Sequence, residues 1–430
     1  MSFKKISVVG LGYVGLPLAL EFARAGVIVY GIEQNPKKVE MVNKGKSYID
    51  DVKSDDLLQV VRSGNLKAYV DFEPVKDSDA VIICVPTPLG PHKEPDISYI
   101  VNVATEISKE LKKGQLVVLE STTYPGTTEE VLVPILEKSG LKAGEDFYVA
   151  FSPERVDPGN KKFTTKDIPK VVGGINQVST DKAAELYSLI VSQVFKVSSP
   201  KVAEMEKLLE NIFRLVNISF INELAILCNK MGIDIWEVIQ AASTKPYGFM
   251  PFYPGPGLGG HCIPIDPFYL SWKAKEYDFE VRFIELAGEI NDSMPKYVVQ
   301  LVMEALNKDK KSVNGSKILI IGVSYKPNIA DPRESPALKI IPELERLGGE
   351  VEYYDPCISE IKINANGNDK VYRSCELTEE KVKNADCILI VTDHDNIDYN
   401  TIYNNAKRIV DTRNALRKRG IDIDERVIIL

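Results

Sequence analysis

The residues best suited to covalent chemistry lie in one glycine-rich stretch, Gly255-Pro-Gly-Leu-Gly259-Gly260-His261-Cys262-Ile-Pro-Ile-Asp266. Glycine permits backbone geometry closed to other residues, so such a loop can present a thiol and a carboxylate together. A single cysteine is by default a small buried hydrophobe. To act as a nucleophile it needs a nearby cation or base that generates thiolate. Lys207 is the candidate cation; it lies four residues before Asn211, which puts the two on one helix face. A solvated helix face is the other reading of a Lys/Asn pair, and the neighbours Leu208, Leu209, Ile212 and Phe213 leave that open. Zinc at His261 and Cys262 is excluded, because adjacent ligands without two further partners do not build a tetrahedral site. No metal is expected.

A second constellation opens the chain. Lys5–Val9 is a β-rich run, Gly10-Leu-Gly12-Tyr-Val-Gly15 follows directly, residues 16–25 read as a helix ended by Gly26, and 27–32 form another β-branched run closing on Glu33. The glycines allow a tight turn and let backbone N–H groups approach a pyrophosphate at a helix N-terminus. Glu33 stands in place for the ribose hydroxyls of NAD and would repel the additional phosphate of NADP. Thr87 in Val85-Pro86-Thr87-Pro88 and Thr122 in Glu120-Ser121-Thr122-Thr123 follow further strands. Ligands of open parallel sheets bind at that end, although each turn alone reads as an ordinary strand ending.

The elements that must position these groups follow from periodicity. Buried-strand candidates at 80–85, 116–120 and 147–151 alternate with helical segments near 97–112 and 127–139, which implies a parallel sheet covered on both faces. Residues 201–231 hold no Gly or Pro and stop at Gly232; that is a helix of about 45 Å. A second helical stretch covers 280–307, and a Pro/Gly/aromatic loop, 246–267, lies between them. From Lys317 the α/β texture resumes, with a helix at 335–347 and strands near 350–354, 386–391 and 407–411. The expected fold is α/β: two Rossmann-like doubly wound domains, 1–198 and 313–430, joined by a helical domain, 199–312. A chain of 430 residues accommodates three domains.

The balance of 53 basic against 61 acidic residues, a net charge of −8, argues against nucleic acid or an anionic membrane as the main partner. Cysteines 84, 228, 262, 357, 375 and 387 form no CxxC pair and do not read as a disulfide framework, so a reducing cytoplasm is expected. Ala23-Arg24-Ala25 mimics a signal-peptidase site, but Glu21, Arg24 and three interrupting glycines disfavour it. No unbroken apolar run reaches the roughly eighteen residues of a transmembrane helix.

GLGYVGLPLA, VPTP, ESTT, FSPER (151–155), EKLLEN (206–211), GPGLGGHCIPIDP and GVSYKPNIADPRESP (322–336) occur in this order. With them the sequence resembles the UDP-glucose/GDP-mannose dehydrogenase family over nearly its whole length. The resemblance implies an N-terminal NAD domain, a central helical dimerisation domain and a C-terminal UDP-binding domain. Cys262 matches the family's catalytic thiol, Lys207 and Asn211 its oxyanion and proton-handling pair, Glu154 the water-activating acid, and Thr122 and Asp266 residues assisting at the same site. Arg155, Val156, Lys207, Asn211, Arg214 and Gly259 align with positions that hold the nucleotide sugar, and Tyr325 and Lys326 with the start of the UDP contact. NAD contacts are implied for Gly10, Gly12, Tyr13, Val14, Gly15, Glu33, Lys38, Thr87, Thr122 and Arg333.

The implied reaction oxidises a sugar C6 alcohol to an acid with two NAD⁺ and one water, through a thiohemiacetal and a thioester on Cys262. The segments STTYPGTTEE, SPERVDPGN and HCIPIDPFYLSWKA look most like the UDP-N-acetylglucosamine 6-dehydrogenases. UDP-N-acetylmannosamine dehydrogenases share the PGPGxGGHC pattern, and a UDP-glucose 6-dehydrogenase is the next alternative. His261 either contacts substrate or only shapes the loop. A two-electron hydroxyacid-type dehydrogenase and a non-catalytic nucleotide sensor are the readings from other classes. A homodimer through the long helix and a role in surface-polysaccharide biosynthesis are further implications.

Overall fold

The computed structural model describes residues 3–49, 51–90, 93–155, 166–260, 263–365 and 368–430. The chain divides into two compact units, Met1–Glu210 with Phe268–Glu280, and Asn211–Pro267 with Val281–Leu430.

The first unit is built on eight strands: β1 Lys5–Val9, β2 Ile28–Ile32, β3 Leu66–Tyr69, β4 Ala80–Ile83, β5 Leu116–Leu119, β6 Tyr148–Phe151, β7 Lys170–Gly174 and β8 Val194–Lys196. They lie in the order β3-β2-β1-β4-β5-β6-β7-β8. Neighbours pair in parallel except β6 with β7, which run antiparallel. On β4, Ala80 and Ile82 join one buried cluster while Val81 and Ile83 join another on the opposite face. Covering on both faces explains why the central strands are continuous apolar runs rather than alternating ones. The helices that bear on the site are α1 Gly15–Arg24, α2 Ser98–Glu110, α3 Gln177–Tyr187, α4 Pro200–Met231 and α5 Asp266–Ala274.

In this unit three short strands, β3, β7 and β8, were not foreseen from the sequence. The expected helix at 127–139 is also broken up. A π-helical turn, Thr128–Leu132, precedes one α-turn, Val133–Leu136, and a 3₁₀ turn, Glu137–Ser139. Pro134 removes a backbone donor there. The buried Glu204 carboxylate takes the N–H groups of Gly126 and Thr128 and the Thr128 hydroxyl, drawing the segment out of regular α geometry.

The second unit carries β9 Lys317–Ile321, β10 Glu350–Tyr354, β11 Glu360–Ala365, β12 Asn368–Arg373, β13 Cys387–Ile390, β14 Ile409–Asp411 and β15 Val427–Ile429. Five form a parallel sheet in the order β10-β9-β13-β14-β15. β11 and β12 form a separate antiparallel hairpin that the sequence reading missed; Ile361 and Ile363 turn inward while Lys362 is exposed. Helices α6 Arg282–Asn307 and α7 Ala337–Arg346 pack on the parallel sheet, α6 through Met294, Val298, Leu301, Val302 and Ala305.

The division between units falls inside α4. By length and composition alone α4 could cross a membrane: an 18-residue window has mean hydropathy 1.3 and is 33% buried. Scattered polar residues such as Arg214 and Glu223 hide it from a search for an unbroken apolar run. In its second half Ser219 donates to the carbonyl of Ala287 at 2.9 Å, and the Asn222 amide donates to Asn291 at 2.9 Å. This polar seam joins α4 to α6.

Candidate active site

The glycine turn after β1 has three distinct reasons for its glycines. Gly10 has φ +89°, and a Cβ there would stand 2.5 Å from the carbonyl oxygen of Cys84. A Cβ on Gly15 would stand 1.8 Å from the carbonyl oxygen of Gly10. A Cβ on Gly12 would meet nothing within 4 Å. The outer glycines therefore serve chain packing, whereas the middle one borders open space at the N-terminus of α1. No side chain caps that terminus. A helix N-terminus without a side-chain cap, beside open space at Gly12, suits a pyrophosphate, so these residues fit NAD.

Of the other expected cofactor contacts, Glu33 lies beside this turn. Glu33 accepts from the backbone N–H of Leu11 at 3.3 Å and of Asn35 at 3.0 Å, which fixes its carboxylate beside the turn. Tyr48 donates to the carbonyl of Leu11 at 2.6 Å, and the Lys38 ammonium lies 5.1 Å from the centre of the Tyr48 ring. Tyr13 is half exposed, and Val14 packs against the core. The turns after β4 and β5 are stitched together: the Thr87 hydroxyl donates to the carbonyl of Thr122 at 2.6 Å, and Ser121 donates to the carbonyl of Val85 at 2.8 Å. Tyr269 on α5 donates to the carbonyl of Thr87.

Glu154 and Arg155 follow β6. The buried Lys207 ammonium donates to the backbone carbonyl of Glu154, which ties α4 to this turn. Arg155 donates to Glu210 at 2.5 Å and to the carbonyl of Pro169 at 2.8 Å, and lies 3.6 Å from Glu206. Its guanidinium is thus engaged by α4. Burial and the neighbouring Glu210 push the Glu206 carboxyl up to about 7. Val156 lies outside the described residues.

A charged cluster beside Glu154 was not read from the sequence. Lys170 at the start of β7 lies 3.1 Å from Glu120 and 3.6 Å from Glu154, and Tyr187 on α3 donates to Glu120. Burial pushes the Glu120 carboxyl up. Lys170 is buried, and although burial works against its charge, Glu120 and Glu154 prevail and raise its pKa. The sequence signal was present but faint: Glu120 opens the ESTT segment, and Lys170 is a lone cation heading an apolar run.

In the second unit the side-chain amide of Asn211 donates to Asp266 at 2.5 Å, and Arg214 donates to the Asn211 carbonyl oxygen. Cys262 and His261 lie outside the described residues. The glycines just before them are tightly held. Gly260 donates to the carbonyl of Arg333 at 3.0 Å, and a Cβ on Gly259 would stand 2.6 Å from that of Tyr325. Tyr325 and Lys326 sit on the loop after β9. Asp355 organises that loop, accepting from the backbone N–H groups of Val323 at 2.8 Å and Ser324 at 2.9 Å and from His394 at 3.2 Å. Burial opposes its charge, but His394 and these N–H groups outweigh it and hold the carboxyl at about 2.

Arg333 is ion-paired with Asp331 at 2.6 Å. Asp355, Cys357 and His394 place donor atoms within 4.8 Å of one another. The Asn328 N–H occupies His394 Nδ1 at 3.0 Å, and the Asp355 oxygens are taken by backbone and side-chain donors, so the cluster serves the loop rather than an ion.

Arg413 is a further residue the sequence reading missed. It follows β14 at the carboxyl end of the sheet and donates to the carbonyl of Val391 at 2.8 Å, and a Cβ on Gly255 would stand 2.6 Å from its guanidinium. The described cysteines are all free. Burial, reinforced by Glu120, pushes the Cys84 thiol well up, and burial pushes Cys387 to about 12, so neither is a ready nucleophile.

Comparison with known proteins gives this geometry a context. The profile of the UDP-glucose/GDP-mannose dehydrogenase family, NAD binding domain, matches residues 4–191; that of the central domain matches 201–293, and that of the UDP binding domain 319–418. A UDP-N-acetyl-D-glucosamine 6-dehydrogenase of Pseudomonas aeruginosa is 40% identical over 83% of both chains. A UDP-N-acetyl-D-mannosamine dehydrogenase of Methanocaldococcus jannaschii is 37% identical over 96% of this chain and 93% of its own. The solved structure of the UDP-D-ManNAc dehydrogenase from Pyrococcus horikoshii superposes with a TM-score of 0.87 at 33% identity, covering 99% of this chain and 98% of that one. The chain belongs to the UDP-glucose/GDP-mannose dehydrogenase family and is an NAD-dependent oxidoreductase acting on a UDP-sugar.

Proposed function

We propose that the chain converts UDP-N-acetylglucosamine to its uronic acid, oxidising the C6 hydroxyl by four electrons. Residues 1–198 serve NAD, 199–312 supply catalysis and dimerisation, and 313–430 hold the UDP-sugar. The observation that carries the reading is the α4 pair. Asn211 is fixed by Asp266 and Arg214, and the buried Lys207 ammonium lies one turn before it. An oriented amide and an ammonium are the donors an oxyanion needs, and one such donor is worth about 3–4 kcal/mol in other enzymes.

Gly10, Gly12, Tyr13, Val14, Gly15, Glu33, Lys38, Thr87, Thr122 and Arg333 would hold NAD⁺, which would supply the hydride acceptor for both oxidations. The thiolate of Cys262 adds to the C6 aldehyde, and Lys207 and Asn211 stabilise the resulting oxyanion as a thiohemiacetal forms. The second oxidation leaves a thioester. Glu154 takes a proton from water as its oxygen adds to the thioester carbonyl; the C–S bond then breaks and the thiolate departs from the new carboxylic acid. Thr122 and Asp266 assist by holding neighbouring groups in place. Arg155, Val156, Arg214, Gly259, Tyr325 and Lys326 hold the nucleotide sugar, and Arg413 adds a cation to that set.

The choice of sugar is supported by the relatives from Pseudomonas aeruginosa, 40% identical, and Salmonella typhi, 36% identical, both UDP-N-acetyl-D-glucosamine 6-dehydrogenases. UDP-N-acetylmannosamine is the second reading, supported by the Methanocaldococcus jannaschii relative at 37% and the Pyrococcus horikoshii structure. A two-electron hydroxyacid-type reaction is not favoured by the family. A homodimer through α4 is supported by its exposed apolar stripe, Val202, Met205, Leu209, Phe213, Phe220, Leu227 and Met231. Free cysteines among the described residues support a cytoplasmic setting, and the product suits polysaccharide assembly.

Steady-state kcat/KM on UDP-N-acetylglucosamine, UDP-N-acetylmannosamine and UDP-glucose tests the substrate. The highest value is expected for UDP-N-acetylglucosamine. A value about tenfold higher on UDP-N-acetylmannosamine would transfer the assignment to that epimer, at 1.4 kcal/mol of transition-state binding.

A further inference from the structure

The reversal of one strand brings a buried cation to the ligand-binding end of the first sheet. Strands β4, β5 and β6 run in parallel and present their carboxyl ends at one edge, where Cys84, Glu120 and Glu154 follow them. β7 runs against β6, with Phe151 opposite Gly173 and Ala150 opposite Gly174. Its first residue, Lys170, therefore lies across from the Glu154 turn. A parallel β7 would have carried this cation to the far edge.

The ammonium sits between two carboxylates, 3.1 Å from Glu120 and 3.6 Å from Glu154, with side-chain exposures of 9% for Lys170, 0% for Glu120 and 16% for Glu154. Tyr187 donates to Glu120 from α3, the Cys84 thiol faces the cluster from the end of β4, and Lys207 on α4 holds the backbone carbonyl of Glu154. Among the described residues, Glu120 Oε2 is buried with no hydrogen-bond partner. Two carboxylates and one ammonium leave one negative charge in excess. Buried charge persists only when paired, and this ammonium is the counter-charge within 4 Å of both carboxylates.

We propose that Lys170 is a positioning residue for the hydrolytic half of the reaction: its ammonium, anchored by Glu120, holds the Glu154 carboxylate in place as a charged base. The inference rests on the reading of Glu154 as the water-activating group. A purely structural Lys170 would affect stability but not the ionisation that governs turnover. With the ammonium removed, Glu154 loses that counter-charge while the like charge of Glu120 remains, and activity is expected to be lost at a higher pH as the medium is acidified. With Glu120 neutralised, the like charge is gone and the acid limb moves the other way.

The test is the pH profile of kcat, followed as NADH formation with the UDP-sugar that turns over best. Wild type, Lys170→Met, Lys170→Arg, Glu120→Gln and Glu154→Gln are compared, with thermal midpoint and NAD binding as controls for folding. Lys170→Met is expected to raise the acid limb by about one pH unit or more while KM for the sugar changes less than about twofold. Lys170→Arg should return the limb toward wild type, and Glu120→Gln should lower it. A folded Lys170→Met with an unmoved limb overturns the proposal. If Lys170→Met does not fold, Glu120→Gln decides: a lowered limb supports the proposal and an unmoved one overturns it. Near-normal turnover by Glu154→Gln would remove the reading of Glu154 itself, whereas loss of turnover there with an unmoved Lys170→Met limb removes only the role of Lys170.

Discussion

The side-chain amide of Asn211 donates to the carboxylate of Asp266 at 2.5 Å, and both residues are buried. The bond decides which end of the amide points where, with nitrogen toward Asp266 and oxygen toward Arg214. Asp266→Asn removes the charged acceptor while nearly preserving shape. It is expected to lower kcat by about 10²-fold, as loss of one oriented oxyanion donor does, with KM nearly unchanged. Asn211→Asp sets two buried carboxylates against each other and should cost about 2–3 kcal/mol of stability at neutral pH, read from urea denaturation.

The three glycines of the turn should separate into two phenotypes. Gly12→Ala meets no atom within 4 Å, so its thermal midpoint should stay within about 1 °C of wild type, because surface changes away from strained features cost little. Its NAD affinity, measured by calorimetry, should fall at least about tenfold if the pyrophosphate approaches there. Gly15→Ala sets a Cβ 1.8 Å from a carbonyl oxygen and should lower the midpoint itself. Equal NAD affinity in Gly12→Ala and wild type would remove the turn from the cofactor site.

Glu206 gives a pH-dependent stability. Its folded carboxyl is raised to about 7 by burial and Glu210, so the folded state binds the proton more tightly than the unfolded chain. Its adverse contribution is absent in acid, grows as pH rises from the unfolded carboxylate range to about 7, and is constant above that. Glu206→Gln should match wild type near pH 4 and gain on the order of 1 kcal/mol at pH 8. Thermal melts across that range check the sign.

The stripe on α4 gives an assembly test. Leu209 and Phe220 are 58% and 55% exposed. If the stripe joins two copies, Leu209→Glu with Phe220→Glu should yield a monomer in sedimentation velocity, since charge in the centre of an apolar interface costs several kcal/mol. An unchanged dimer would place the interface elsewhere.

Much of this was legible in the sequence because the relevant signals are local. The glycine turn, Glu33, the β-rich run of β1 and the continuous apolar strands β4 and β5 are set by backbone geometry and two-sided burial. The absence of Gly and Pro from 201–231 marked α4, observed as Pro200–Met231. What stayed hidden depends on strand order. Lys170 becomes a partner of Glu120 and Glu154 only because β7 is reversed, which a five-residue run cannot announce. Engagement of Arg155 by Glu210 is likewise a contact between distant segments. Asp355 and His394 are 39 positions apart and meet only through the order of β10 and β13 in the sheet. The β11–β12 hairpin was missed because polar residues interrupt its strands, which lack the apolar continuity that marked the others.

Four-electron oxidation of one UDP-sugar through Cys262 is tested most directly by product stoichiometry. With limiting UDP-N-acetylglucosamine and excess NAD⁺, two NADH per sugar and a uronic acid product are expected. Cys262→Ser should fail to release that acid at a normal rate. One NADH per sugar, or near-normal turnover by Cys262→Ser, would contradict it.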